Sequence, residues 1–285
     1  MPRLTAPLAL LLLAAQAHAT LAVIVPTRDG FVVATDSRVT YMGARCDGIP
    51  KIYIPRPERT IAVVTGDSVF VQPPTSKVAN PCVWLASAPR LLDINAVVTG
   101  FLDHATPDPL SFSLAALAAA CVQATQSFQQ SYPAALRTYA GKAIFSVVVA
   151  SYDPGTAATA LYSFTVRATA DSSHIEAARV TQTKVNASSP RGVLIYGEAD
   201  WLNRVVYQGP GRRFLSAATL DFLQVHSRQG DVPLELAQSV AANVIQAASR
   251  AAVNNPPPSS IGGEIRLMAV GSNPLPQQLS SPPSP

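Results

Sequence analysis

Residues 20–40 read TLAVIVPTRDGFVVATDSRVT. Leu21 to Val25 is a run of apolar and β-branched side chains, Arg28, Asp29 and Gly30 form a turn signal, and Phe31 to Ala34 is a second apolar run. Two such runs across a D-G turn predict a β-hairpin. Its first strand starts beside Thr20, so Thr20 is expected on a rigid sheet rather than a loose tail.

What precedes Thr20 gives it a second meaning. Met1 to Arg3 is a short basic segment, and Leu4 to Ala15 is apolar except for Thr5 and Pro7. Ala17, His18 and Ala19 form an A-x-A site of the kind that signal peptidase reads. Residues 1–19 are therefore expected to be a signal peptide and the mature protein to be periplasmic or extracellular. Cleavage after Ala19 makes Thr20 the first residue, with a free α-amine next to its own hydroxyl. An adjacent amine is one way to activate a hydroxyl that is a weak nucleophile by itself.

Downstream, Ala34-Thr35-Asp36-Ser37-Arg38 is followed by the loop Gly48-Ile49-Pro50 and an expected strand over Lys51 to Ile54. Thr60 to Gly66 reads as another strand, ending beside Asp67. This order resembles the proteasome β-subunit family, whose mature chains begin with threonine and run through a D-G turn to an A-A-D-S-R motif and a lysine-bearing strand. The interval from Asp36 to Lys51 is one residue shorter than is usual there. The likeness continues through Ala143 to Tyr152, Ala160 to Val166, Val193 to Gly197 and Gly262 to Met268.

The resemblance implies an N-terminal-nucleophile (Ntn) hydrolase fold of α/β (α+β) class, a four-layer αββα sandwich with two mainly antiparallel sheets. It implies Thr20, Asp36 and Lys51 as the catalytic residues, with Thr20 Oγ as nucleophile and Asp36 orienting Lys51. Which amine takes the hydroxyl proton, that of Lys51 or the Thr20 α-amine, is open. Gly66 matches the oxyanion donor, since a glycine permits close approach. Thr40 matches a residue whose backbone pairs with an extended substrate. Val39 and Val64 are expected to flank a pocket for a medium-sized apolar side chain. Family members commonly form rings, and a homo-oligomer or ring is left open for this chain, as are its size and partners.

The chain also departs from the family. A serine after a glycine near the third helix, and an Asp-x-x-Ser-Gly-Gly pattern before the last strand, are usual. Here the two regions read Gly197-Glu198-Ala199-Asp200 and Pro258-Ser259-Ser260-Ile261-Gly262-Gly263. The glycines are kept, the aspartate is not, and Ser260 is one place off. Support around the site is expected to be weaker or differently built.

Composition excludes several other classes. With 285 residues, 48% hydrophobic and 13% charged, the chain suits one large globular domain. That domain is expected over 20–271, with an insertion at about 72–109 and a disordered Pro/Ser-rich tail at 272–285. A net charge of +4 without a basic cluster interleaved with aromatics does not suggest nucleic-acid binding. No apolar stretch after the signal approaches the length of a membrane span. His104, His174 and His226 are scattered, so no metal and no other cofactor is expected. No G-x-S-x-G elbow, P-loop or G-x-G-x-x-G occurs.

Export permits a disulfide, and Cys46 and Cys82, both in loop-like sequence, are the expected pair. Cys121 falls on an apolar helix face over 108–131, marked by Leu114, Leu117, Ala124 and Phe128. A second helix is expected from Asp231 as N-cap, through Leu236, Val240, Val244, Ala247 and Ala251. The expected function is exported hydrolysis of peptide amide bonds by Thr20. Two alternatives stand beside it: a catalytically weak or inactive proteasome-like structural or binding subunit, and a small-molecule amidase or acylase of the same class.

Overall fold

The computed structural model describes residues 21–27, 30–55, 59–104, 113–153, 155, 158–185, 192–224, 232–254, 261–272 and 277–279. Strands β1 (Leu21–Thr27) and β2 (Gly30–Asp36) are buried along their whole length. A strand covered on both faces carries a continuous apolar run instead of an alternating one, which explains the pattern of residues 21–34. Next come β3 (Val39–Tyr41), β4 (Ala44–Cys46), β5 (Ile52–Tyr53), β6 (Thr60–Gly66) and β7 (Val69–Val71). Helix α1 (Pro81–Ser87), β8 (Arg90–Asp93), α2 (Ile94–Asp103) and α3 (Leu114–Ser131) complete the first half. The second half holds β9 (Ala143–Asp153), β10 (Ala158–Ala168), β11 (Ile175–Val185) and β12 (Leu194–Gly197). It closes with α4 (Ala199–Leu202), α5 (Ala217–Gln224), α6 (Leu234–Asn254), β13 (Ile265–Gly271) and β14 (Gln277–Leu279).

Two five-stranded sheets form, in the orders β12-β1-β2-β13-β14 and β11-β10-β9-β6-β5. Every pairing within them is antiparallel. Their facing sides meet through Ala22, Ile24 and Val33 of the first sheet and Ile61, Val63 and Val148 of the second. The outer face of the first sheet, with Leu21, Val23 and Val32, packs on α6. The outer face of the second, with Ala62, Val64 and Val147, packs on α2 and α3. The layers therefore run helix, sheet, sheet, helix, and the chain is an α+β sandwich as expected.

Both expected long helices form. Val240, Val244, Ala247 and Ala251 of α6 are buried, and Pro233 stands directly before its first residue; Asp231 lies outside the described residues. Helix α3 starts at Leu114, later than the expected Asp108, because Ser113 Oγ accepts the Ala116 N–H at 3.2 Å and caps it there. Leu117, Cys121 and Phe128 are buried, and Thr125 rather than Ala124 completes the inward stripe.

Four readings need correction or filling in. Of the strand expected over 51–54, only Ile52 and Tyr53 pair, with Val63 and Ala62. Lys51 stands just outside, its side chain drawn to Asp36, and Ile54 is 49% exposed. The segment read as an insertion holds α1, β8 and α2, with β8 paired to β7. In the stretch read as a disordered tail, residues 277–279 form β14 along β13, supplying hydrogen-bond partners to an edge that would otherwise lack them. Cys46 and Cys82 are joined, as expected, but they sit at the end of β4 and in the first turn of α1 instead of in loops.

Candidate active site

The site begins where β2 ends. Asp36, the last residue of β2, is fully buried. A buried carboxylate is costly unless its oxygens are bonded, and here donors from three parts of the chain meet it. Lys51 Nζ reaches Asp36 Oδ1 at 2.8 Å. The Leu21 N–H donates to the same oxygen at 3.3 Å, and the Gly262 N–H donates to Oδ2 at 3.1 Å. Lys51 Nζ also donates to the Arg38 carbonyl at 2.7 Å.

Lys51 is only 3% exposed. Burial pulls its ammonium below the ordinary lysine value, the Asp36 charge and hydrogen bond oppose that, and Arg38 adds to the lowering. A lysine so placed gives up its proton more readily than a solvated one.

Thr20 lies outside the described residues. The nitrogen bonded to its carbonyl carbon is Leu21 N, which is the atom resting on Asp36 Oδ1. Register carries the same point: Ala22 of β1 pairs with Thr35 of β2, so the next step outward along the two strands leads to Leu21 and Asp36.

Asp36, Ser37 and Arg38 work on three different partners. Ser37 Oγ accepts the N–H groups of Gly48 at 3.1 Å and Glu264 at 2.9 Å. The Ser37 and Arg38 N–H groups both donate to the Gly262 carbonyl, at 3.2 and 3.0 Å. Arg38 grips Asp47 through two bonds of 2.7 and 2.9 Å. That grip holds the Asp47 carboxyl below the usual range and raises the Arg38 guanidinium. Gly262 has φ +143°, a backbone conformation that L side chains rarely adopt and glycine takes freely, and a Cβ there would also push on the end of the Arg38 side chain, 2.5 Å from Nη1. The Gly262 N–H thus supports the carboxylate from a segment far along the chain. Gly262 was legible in the sequence as a retained glycine, but its bond to Asp36 was not. Asp47 carries no signal beyond being a loop acid.

Beside Lys51 opens a cavity of about 530 Å³. Val39 and Val64 are among the residues that line it. Thr40 follows Val39 on β3 and is half-buried, and Gly66 ends β6 two residues past Val64, but neither is among the lining residues. Gly66 has φ +87°, and a Cβ would lie 2.6 Å from the Ile144 carbonyl oxygen, so this strand end requires glycine. Asp67, the one carboxylate close by in sequence, is buried and bonds the Tyr139 hydroxyl. The cavity's ionic side chains besides Lys51 are Arg90 and Asp93, on a part of the chain that sequence reading did not connect with the site. Among the described residues no cluster of His, Cys, Asp and Glu is arranged to hold a metal ion, and no helix is long and apolar enough to cross a membrane.

No family model matches the chain, and no curated protein matches it. Among solved structures it is similar to the Anbu (Gly-1) mutant from Hyphomicrobium sp. strain MC1, at 11% identity and a TM-score of 0.47. That match covers 89% of this chain and 82% of the other. It is also similar to Anbu (ancestral beta-subunit) from Yersinia bercovieri, at 12% identity and a TM-score of 0.48, over 91% of this chain and 86% of that one.

Proposed function

We propose that the mature chain is an exported N-terminal-threonine hydrolase that cleaves amide bonds, with Thr20 as its nucleophile. One observation carries the reading: a single carboxylate oxygen, Asp36 Oδ1, takes both the Lys51 ammonium and the peptide N–H next to Thr20. The peptide bond from Thr20 to Leu21 N supports this assignment, and the cavity beside Lys51 is available to the substrate.

In this mechanism Thr20 Oγ attacks the amide carbonyl and its proton passes to a neighbouring amine, that of Lys51 or of Thr20 itself. Asp36 orients Lys51 and balances its charge. The Gly66 N–H stabilises the oxyanion of the tetrahedral intermediate. That intermediate collapses by breaking the C–N bond, and the amine returns the proton to the leaving nitrogen. An ester on Thr20 remains, which water hydrolyses to regenerate the hydroxyl. Thr40 supplies main-chain pairing to an extended substrate. A cavity of about 530 Å³ lies in the range of pockets that bury a whole small ligand, about 300–1,000 Å³. It favours a large apolar group on the acyl side over the medium-sized one expected from Val39 and Val64.

The test is N-terminal sequencing of the exported protein followed by labelling with an electrophile that reacts with N-terminal threonine. One adduct on Thr20, abolished in Thr20→Ala, is expected, together with hydrolysis of apolar peptide amides. A folded protein with a confirmed Thr20 terminus and no adduct would overturn the reading in favour of a non-catalytic subunit.

A further inference from the structure

The cavity has two walls of different origin. One belongs to the main sheets and their hairpin: Val39 of β3, Val64 of β6 and Lys51 before β5. The other comes from the segment after β6, and its outer part is Leu85 and Ala86 of α1. Helix α1 has seven residues, fewer than the about 12–15 at which an isolated helix becomes even marginally stable. Its position therefore depends on what anchors it.

The anchors are few. Leu85 and Ala88 join a small cluster with Val39, Tyr41, Cys46 and Val71. Trp84 Nε1–H donates to the Gln72 carbonyl at 3.0 Å. Asn80 Oδ1 caps the first turn, accepting from Cys82 N and Val83 N, but that bond lies within the segment itself. The covalent anchor is the Cys46–Cys82 disulfide. Cys46 sits directly across the β3–β4 pair from Val39. The bond thus links the first turn of one wall to the cross-strand neighbour of a residue lining the other.

We infer that the Cys46–Cys82 disulfide is a specificity-determining strap, which fixes α1 as a wall of the substrate cavity so that large apolar groups are accepted only by the oxidised protein. The inference rests on the cavity being the substrate pocket of the proposed hydrolase. Two thiols lose two protons and two electrons to form the bond, and a disulfide of an exporting compartment's oxidant accepts them and leaves as two thiols. Reduced protein keeps Asp36, Lys51 and Gly262 in place, since the bonds of Lys51 Nζ and Gly262 N to Asp36 do not pass through α1. Chemistry at Thr20 then survives while selectivity is lost.

The experiment compares mature protein before and after treatment with a phosphine reductant, with Cys46→Ser/Cys82→Ser as a second form. Amide hydrogen exchange is read over residues 81–87 and over β9. Hydrolysis is read on paired amides with a large aromatic or a small acyl-side group. We expect residues 81–87 to lose protection while β9 keeps it. The large-to-small ratio of kcat/KM should fall at least about tenfold, through KM, the size of losing one well-buried apolar contact. Thr20 labelling by a small electrophile should stay within twofold. Retained protection at 81–87 in the reduced protein, or an unchanged ratio, overturns the inference. Exchange needs no turnover, so it decides the strap even if Thr20 proves unreactive, an outcome that would count against the hydrolase alone.

Discussion

Asp36→Asn separates folding from chemistry at this site. Asp36 is fully buried and Lys51 is 3% exposed, so neither charge is relieved by water. Asparagine keeps the shape of Asp36 but leaves the Lys51 ammonium without its counter-ion 2.8 Å away. Removing one partner of a buried pair costs about 3–5 kcal/mol, a large share of the about 5–15 kcal/mol that holds a domain folded. Lys51→Met leaves Asp36 with two backbone donors, Leu21 N and Gly262 N, and should fall at the lower end of that cost. The double variant Asp36→Asn/Lys51→Met removes both charges, and its loss should be smaller than the sum of the singles by about 2 kcal/mol. Urea unfolding of the three variants and wild type at one pH measures all four corners. Single losses that add to the double within about 0.5 kcal/mol would refute the coupling. Loss of turnover in Asp36→Asn or Lys51→Ala must therefore be measured on the folded fraction before it is read as chemistry. A pH arm sharpens the test. Because Lys51 binds its proton less well folded than unfolded, the unfolded chain holds more protons between the lowered value and the usual lysine one. Through this group wild-type stability rises with pH across that window, and Lys51→Met should lack the rise.

Gly66→Ala forces a Cβ to within 2.6 Å of the Ile144 carbonyl oxygen at φ +87°, so a loss of at least about 1–3 kcal/mol in urea unfolding is expected. Ser37→Ala removes the acceptor of the Gly48 and Glu264 N–H groups, which belong to exposed residues, and should cost about 0.5–1.5 kcal/mol. Asp47→Ala breaks a partly exposed ion pair and should cost no more than about 1 kcal/mol, less in high salt. Burial pushes the Cys121 thiol up to about 12, so an alkylating reagent at pH 8 should modify it only after denaturation, as mass spectrometry of the labelled peptide would show.

Much of the fold was legible locally. The β1–β2 hairpin, the ends of β6 and β9, and helices α3 and α6 show themselves because their apolar runs or stripes are long and uninterrupted. Asp36 and Lys51 could be singled out only through the resemblance to the proteasome β-subunit family, because a strand-end aspartate or a lone lysine carries no such signal by itself. Strands β3, β4, β7, β8, β11 and β14 were missed. Most are three or four residues long, and β11, IEAARVTQTKV, is an edge strand whose sequence gives no apolar run.

The sequence by itself determined which residues would fill both faces of the central strands, because burial on two sides demands unbroken apolar side chains. It also set Asp36 at the end of the first hairpin and Lys51 one short loop further on. Only the tertiary structure decided what surrounds them. Gly262 comes to Asp36 from 226 residues away, and its N–H is a backbone group that any residue but proline would offer. The second cavity wall comes from α1, whose composition marks nothing until a disulfide and a small apolar cluster set it opposite Val39. Local pattern carries the element; contacts across long sequence distances, made by main-chain atoms and by short segments without a period of their own, decide the site.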